Sequence, residues 1–234
     1  MLTVAILAGG LATRLRPITE KIPKALVEVA GRPFISRQLE YLRNQGLKRV
    51  VLCTGYLGEQ IAAFVGDGSA FGLEVLVSPD GPTLMGTAGA LKQAVPLLGD
   101  RFFVLYGDSF LPCDFKQIER AFGESGLPAL MAVFRNAGRW EKSNAILADG
   151  RVVEYDKQTP GPRMEYIDYG LGVLSAEVFD SYPSGVPFDL ATVYRQLSLS
   201  GELGGYEVHE RFYEIGSHAG LKEAELYFLK QETV

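Results

Sequence analysis

Two cysteines, two histidines and one tryptophan in 234 residues exclude several kinds of chemistry at once. Cys53 and Cys113 stand far apart with no neighbouring Cys or His, so neither a disulfide framework nor a thiolate metal site is expected. They read as small buried thiols of a reducing cytoplasm. His209 and His218 read as surface or capping residues rather than acid–base catalysts. No apolar run approaches the ~18 residues that span a bilayer. The apolar start of the chain has no basic segment before it and runs straight into Gly9-Gly10, as a buried strand does and a signal peptide does not. Positive charge is also in deficit. With 23 Lys+Arg against 28 Asp+Glu and a formal net charge of −5, no broad nucleic-acid surface is expected, although a local basic site for a small anion stays open. A cytoplasmic chain with no nucleic-acid or membrane partner is left.

Glycine, by contrast, is plentiful: 27 Gly with 12 Pro point to functional turns. Short apolar runs of strand type recur at Val4–Leu7, Val50–Leu52, Leu73–Val77, Phe102–Leu105 and Ala129–Phe134. All but Leu73–Val77, which holds Glu74, are free of charge, and the set reads as strands covered on both faces. Amphipathic stretches alternate with them. Ile35, Leu39 and Leu42 repeat at helical spacing between Pro33 and Gly46, and Leu57–Phe64, Thr87–Leu98 and Phe115–Phe122 follow. Strand and helix in alternation predict an α/β, doubly wound, mostly parallel sheet. After about residue 140 the pattern changes. Asp149-Gly150 between two apolar runs predicts a hairpin, Ile167–Leu174 another strand, and 188–198 a polar helix. A last helix is capped by Ser217 and turns Leu221, Ala224, Phe228 and Leu229 to one side. We expect one domain over 1–234, with a nucleotide-binding half at about 1–135 and a β-rich substrate lobe with the C-terminal helix at about 136–234.

The chemistry concentrates at strand ends. Leu7-Ala8-Gly9-Gly10-Leu11-Ala12-Thr13-Arg14 passes from strand to glycine turn and continues to Pro23-Lys24. Glycines there let backbone N–H groups approach an anion or a flat base, and ligands bind at this carboxyl edge of open α/β sheets. The dinucleotide pattern G-x-G-x-x-G and the P-loop pattern are both absent. Arg14 and Lys24 place two cations over one loop, suited to a triphosphate. Asp108, after Phe102–Tyr106, is positioned to hold Mg²⁺, which takes one or two protein carboxylates and fills its shell with phosphate and water. The second carboxylate is Glu214 or Asp114, the latter better accounted for as a helix cap.

Residues 7–26 resemble the signature of sugar-1-phosphate nucleotidylyltransferases, L-A-G-G-x-G-T-R-L-x-P-x-T-x-x-x-P-K-x-L. Gly86-Thr87-Ala88-Gly89-Ala90-Leu91 is similar to the family's base-side loop and Tyr106-Gly107-Asp108 to its metal strand. Tyr155-Asp156-Lys157, Asp168-Tyr169-Gly170-Leu171 and Glu214-Ile215-Gly216 fall where its later motifs fall. The short length and the Gly-Thr-Ala-Gly-Ala-Leu run most resemble guanylyltransferases acting on mannose- or heptose-1-phosphate. The resemblance implies that Leu7, Ala8, Gly9, Gly10, Thr13, Gly86 and Thr87 bind the nucleotide. It implies that Arg14 and Lys24 hold its phosphates, Asp108 and Glu214 hold Mg²⁺, and Lys157 holds the sugar phosphate. Asn144, Asp156, Asp168 and Gly170 would contact the sugar. Four positions depart from the pattern. Ala12 replaces a glycine, so the loop turns there without positive φ or with strain. Glu214 replaces an Asp, Asn144 a glycine and Asp168 an Asn.

The implied reaction is attack of a sugar-1-phosphate oxygen on the α-phosphorus of a nucleoside triphosphate, with pyrophosphate leaving in line. Two polyanions must meet, so charge neutralisation and alignment matter more than proton transfer. Guanine's N1–H and N2–H₂ need an acceptor, for which Asp80 is the candidate, an ordinary Asp-Gly turn being its other reading. Uridylyl or thymidylyl transfer to another hexose-1-phosphate is the alternative. A non-enzymatic regulatory subunit of the same fold should lack Arg14, Lys24 or Asp108, all of which are present. A metal-dependent glycosyltransferase should carry Asp-x-Asp where Asp108-Ser109-Phe110 stands. A homo-oligomer stays open. Whatever the base, the enzyme reading requires Arg14 and Asp108 to share one rim of the sheet.

Overall fold

In the computed structural model, which describes residues 1–136, 138–140 and 142–232, the apolar runs become strands and the amphipathic stretches become the helices that cover them. The first half contains strands β1 (Thr3–Ala8), β2 (Glu28–Val29), β3 (Arg32–Pro33), β4 (Arg49–Thr54), β5 (Glu74–Pro79), β6 (Arg101–Tyr106), β7 (Ser109–Phe110) and β8 (Ala129–Arg135). Its helices are α1 (Phe34–Asn44), α2 (Gly58–Val65), α3 (Gly86–Leu98) and α4 (Phe115–Ser125). The second half adds β9 (Ala145–Ala148), β10 (Arg151–Tyr155), β11 (Tyr166–Ser175), α5 (Leu190–Ser200), β12 (Leu203–Val208), β13 (Tyr213–Glu214) and α6 (His218–Gln231).

Among the described residues, nine strands form one sheet in the order β5-β4-β1-β6-β11-β8-β12-β10-β9. β5, β4, β1 and β6 are mutually parallel. β11 enters antiparallel to both β6 and β8, and β12 lies parallel to β8. Thus β1, β4, β6, β8 and β12 all present their carboxyl ends on one edge. The strands β5, β4, β1 and β6 of the first half are parallel as expected, and the later strands weave into the same sheet with antiparallel pairings.

Alternation along β1 sends Val4 and Ile6 to one face, with Ile35, Leu39 and Phe115, and Ala5 to the other, with Leu91, Ala94 and Tyr194. Each fully buried aliphatic or aromatic side chain contributes about 1.5–3 kcal/mol, so these two layers hold the helices to the sheet. A third cluster, including Val29, Phe110, Ile215 and Phe228, seats α6. Buried Arg37 secures the same helix, giving hydrogen bonds to Val29 O (2.9 Å), Ala30 O (2.8 Å) and Glu232 Oε1 (3.0 Å) with its guanidinium over the Phe228 ring.

Three local expectations need correction. β5 is only partly covered, with Glu74 and Pro79 exposed and Leu76 and Val77 half-buried, because it is the sheet edge with one flank open to water. The polar helix starts after its cap Asp189 rather than at 188. Leu229 is 47% exposed: the buried stripe of α6 runs through Ala224 and Phe228, and the next residue has already rotated ~100° from it. The hairpin turn forms as read, Asp149 and Gly150 both taking positive φ. Both cysteines are buried and free, and both histidines are at the surface. No helix among the described residues is long and apolar enough to cross a membrane.

Asp114 caps α4, its Oδ1 accepting from Lys116 N (2.9 Å) and Gln117 N (3.1 Å). The Gln117 N–H, helped by the Gln117 side chain and Lys116, holds this carboxyl below the usual range. A carboxyl lowered on folding stabilises above its unfolded pKa of about 3.9 and ceases to as pH falls through its folded value. Asp114→Ala should therefore cost about 1 kcal/mol at pH 7, with the gap to the parent closing in acid, as read by urea unfolding at both pH values.

Candidate active site

Three glycine-bearing turns crowd the carboxyl edge. A Cβ on Gly9 would lie 3.1 Å from Gly55 N, and one on Gly107 would lie 2.8 Å from Leu7 O. Hydrogen alone lets these strand ends close up, and a cavity of about 250 Å³ opens above them. Its lining includes Leu7, Ala8, Gly9, Gly10, Lys24, Asp80, Gly86, Thr87 and Asp108 from the expected set. Ala25, Cys53, Leu84, Ala90, Tyr106 and Gly107 complete it. Burial pushes the Cys53 thiol up to about 12, so this wall is an uncharged one. A larger groove of about 680 Å³ opens at the opposite end of the sheet, around Arg101, Tyr182 and Glu202, and contains none of the expected residues.

The loop after β1 is pinned rather than loose. Ala12 takes φ 49° and ψ 40°, so of the two outcomes foreseen for a non-glycine residue it adopts the strained one. Its carbonyl receives Leu15 N (3.2 Å) and the hydroxyl of buried Thr19 (2.7 Å), and Leu15 is buried beneath. Thr13 stays on the exposed turn. The arginine that follows reaches across the site: Arg14 Nη2 comes within 3.3 Å, and Glu214 Oε2 within 3.1 Å, of the point where a Cβ on Gly216 would sit.

β13 brings Glu214 to Asp108. It pairs antiparallel with β7, placing Glu214 opposite Ser109, and Ile215 N donates to Asp108 O at 2.8 Å. Asp108 Oδ2 accepts from Lys24 Nζ at 2.9 Å and Oδ1 from Ser109 Oγ at 3.2 Å. Arg14, Lys24, Asp108 and Glu214, distant in the chain, therefore share one rim. Asp114, the other carboxylate considered, is occupied as a helix cap.

On the cavity wall, Asp80 Oδ2 accepts from Met85 N at 3.0 Å, tying down the loop that carries Leu84. Burial raises the Asp80 carboxyl, and the Met85 N–H opposes the shift. Asp80 thus acts as a turn former and also lines the cavity. Thr87 Oγ1 donates to Asp189 Oδ1 (2.6 Å) and accepts from Leu190 N (2.7 Å), joining α3 to the start of α5.

The five expected sugar-side residues lie apart from the lining of this cavity. Lys157 Nζ stands 5.5 Å from the centre of the Tyr106 ring, so that ring separates it from the cavity. Gly170 takes φ +90°, and a Cβ there would be 3.5 Å from Tyr106 Cδ2. Half-buried Asp168 accepts from Gly170 N (2.9 Å) and from Tyr155 OH (3.3 Å). Burial raises its carboxyl despite the Gly170 N–H, Lys157 and the Tyr155 hydroxyl. The polar groups of Asn144 and Asp156 are committed to hydrogen bonds within the chain. Asn144 Oδ1 receives Asp168 N (2.9 Å). Asp156 receives Gln158 N (2.9 Å), Thr159 N (2.7 Å) and Arg195 Nε (3.2 Å), and the Thr159 N–H leads in lowering its pKa.

Sequence reasoning missed Tyr106, Leu84 and Asp189. Tyr106 adjoins the glycine before Asp108 and was within reach; the other two depend on long-range packing. The sequence model of the nucleotidyl transferase family matches residues 3–143, the span holding the glycine turn, Arg14, Lys24 and Asp108. The chain belongs to that family. This nucleotidyl transferase is 32% identical over 224 residues to N-acetylmuramate alpha-1-phosphate uridylyltransferase of Neisseria meningitidis serogroup B, covering 94% of this chain and 95% of the relative. It is 28% identical over 177 residues to D-glycero-alpha-D-manno-heptose 1-phosphate guanylyltransferase of Campylobacter jejuni, covering 76% and 77%. In three dimensions it is similar to HddC from Yersinia pseudotuberculosis complexed with GMP-PN, with a TM-score of 0.78, 27% identity and coverage of 97% and 100%.

The strained alanine yields a direct test. Ala12→Gly removes the left-handed penalty at the cost of a more mobile unfolded chain, and should raise stability by up to about 1 kcal/mol, seen as a higher unfolding midpoint.

Proposed function

We propose that this protein transfers a nucleotidyl group from a nucleoside triphosphate, GTP in our reading, to a sugar 1-phosphate such as mannose- or heptose-1-phosphate. The observation that carries the proposal is the single rim on which Arg14, Lys24, Asp108 and Glu214 adjoin a glycine-floored cavity. A phosphate oxygen of the sugar bonds to the α-phosphorus, the bond from that phosphorus to the bridging oxygen of the β-phosphate breaks, and pyrophosphate departs. Backbone N–H groups of the Gly9-Gly10 turn approach the nucleotide. Arg14 neutralises the outgoing phosphates, Lys24 the phosphate under attack, and Lys157 the incoming sugar phosphate. No proton need move, since the sugar phosphate is already ionised at neutral pH.

The donor set suits a hard divalent cation. The β7–β13 pairing sets Glu214 opposite Ser109, the residue after Asp108, and the Asp108 carboxylate already attracts an ammonium group. Magnesium takes one or two protein carboxylates and fills the rest of its shell with phosphate and water. Magnesium held by Asp108 and Glu214 would supply Lewis-acid neutralisation of phosphate charge.

Asp80, an acceptor on the cavity wall, supports the guanylyl reading, as does the likeness to HddC. Uridylyl transfer is the second reading, favoured by the near-complete span of the neisserial uridylyltransferase. Pyrophosphate release from GTP, UTP, dTTP and CTP, each with a panel of sugar 1-phosphates, separates them. GTP should be used at least about tenfold faster, the worth of ~1.4 kcal/mol at the base. A preference for UTP would replace the guanylyl reading, and silence with every pair would favour a regulatory subunit. Lys24→Met and Asp108→Asn should each lower kcat by about 10²–10³-fold, as loss of a preorganised charge does.

A further inference from the structure

α1 is buried almost all round, through Phe34, Ile35, Ser36, Arg37, Gln38, Leu39 and Leu42. Gln38 is 2% exposed and sits between apolar neighbours, where a leucine would pack as well. Instead its amide nitrogen makes two hydrogen bonds, to Tyr106 O at 3.1 Å and to Ser109 O at 2.8 Å. Those carbonyls bracket Gly107 and Asp108. Both N–H bonds of the amide are thereby used on the one turn that carries the Asp108 carboxylate.

We propose that Gln38 is a positioning residue for Asp108, gripping the turn from below so that the carboxylate is held toward Lys24 and Glu214. The inference rests on the function proposed above, in which Asp108 holds the cation. Two backbone tethers already restrain the turn: Gly107 N donates to Leu7 O (2.9 Å) and Ile215 N to Asp108 O (2.8 Å). They hold it from β1 and from β13. Gln38 supplies the third direction, from α1, and does so with a side chain that substitution can remove. The cost of the arrangement is visible in the same residue. Gln38 Oε1 is buried without a hydrogen-bond partner among the described residues, a loss of stability that a purely apolar side chain would avoid. An amide kept there despite an unpaired oxygen is kept for its donors. Groups that orient a metal-binding carboxylate typically change metal affinity or activity by about 10–100-fold when removed.

The test compares the intact protein with Gln38→Met, which keeps the length and removes both donors, and with Gln38→Glu, whose protonated form keeps one. Binding of Mn²⁺ alone is measured by loss of the free-ion electron paramagnetic resonance signal, with Asp108→Asn as reference. Pyrophosphate release then gives kcat and the KM for the nucleotide. We expect Q38M to weaken Mn²⁺ binding and lower kcat by about tenfold each, to leave the nucleotide KM within about twofold, and Q38E to fall between Q38M and the parent. A folded Q38M with Mn²⁺ affinity and kcat within about twofold of the parent would overturn the proposal, as would Q38E and Q38M losing activity equally with unchanged Mn²⁺ affinity. Should Q38M not fold, Q38E against the parent decides on the same criteria. If the parent itself releases no pyrophosphate with any nucleotide, the functional reading fails and this inference with it. If the parent is active and Q38M equals it, only the role of Gln38 is lost.

Discussion

An ammonium and a carboxylate 2.9 Å apart, Lys24 on Asp108, set the electrostatic character of the carboxyl edge. As a stabilising contact the pair is worth little, since both side chains are partly exposed and water screens them. Its weight lies in where it sits. Charges of both signs are gathered over a floor of backbone, beside a cavity whose wall is mostly apolar. In such a place a phosphate chain meets fixed cations without having to reorganise solvent, which is the arrangement that electrostatic catalysis requires. The glycines at 9, 55 and 107 serve the same end, letting three strand ends approach closely enough for charges from separate elements to converge.

Those residues were legible in the sequence wherever chemistry follows directly on a strand. Gly9-Gly10, Asp108 and the hairpin turn at Asp149-Gly150 all stand at the ends of apolar runs, and turn chemistry is local. What depends on strand direction or pairing was not legible. An apolar run does not encode whether its strand runs with or against its neighbours, so the antiparallel entry of β11 and the edge position of β5 emerge only from the assembled sheet. Glu214 could be nominated as a carboxylate, but its place beside Asp108 comes from a two-residue pairing between β7 and β13. Asp156 shows the converse difficulty. A carboxylate that caps its own turn looks the same in sequence as one that waits for a ligand.

Gln38 was invisible for a different reason. In an amphipathic pattern, a polar residue between Ile35 and Leu39 is read as the solvent face, and only tertiary packing turns that face inward. Ala12 is intermediate. Its departure from the family pattern was plain, and the structure supplied the outcome, a left-handed alanine retained because Leu15 and Thr19 lock the carbonyl in place. The family and the reaction class thus rest on local motifs, while the packing around Asp80 and Asp168 is something that motifs do not describe.

The sheet that crosses from β5 to β9 has a mechanical consequence. β6 and β8 are joined through β11, so a strand from the later half is bonded on either flank to strands of the earlier half. The Thr87–Asp189 bond ties the two sides again across the top of α3. A hinge cutting between residues 135 and 136 would have to tear hydrogen-bonded ladders, so rigid-body opening is closed to this molecule. The short segments beside the cavity are tied down as well, the turn around Ala12 by Leu15 and Thr19 and the stretch from Asp80 to Met85 by the Asp80 carboxylate, so a ligand meets a site that is already formed.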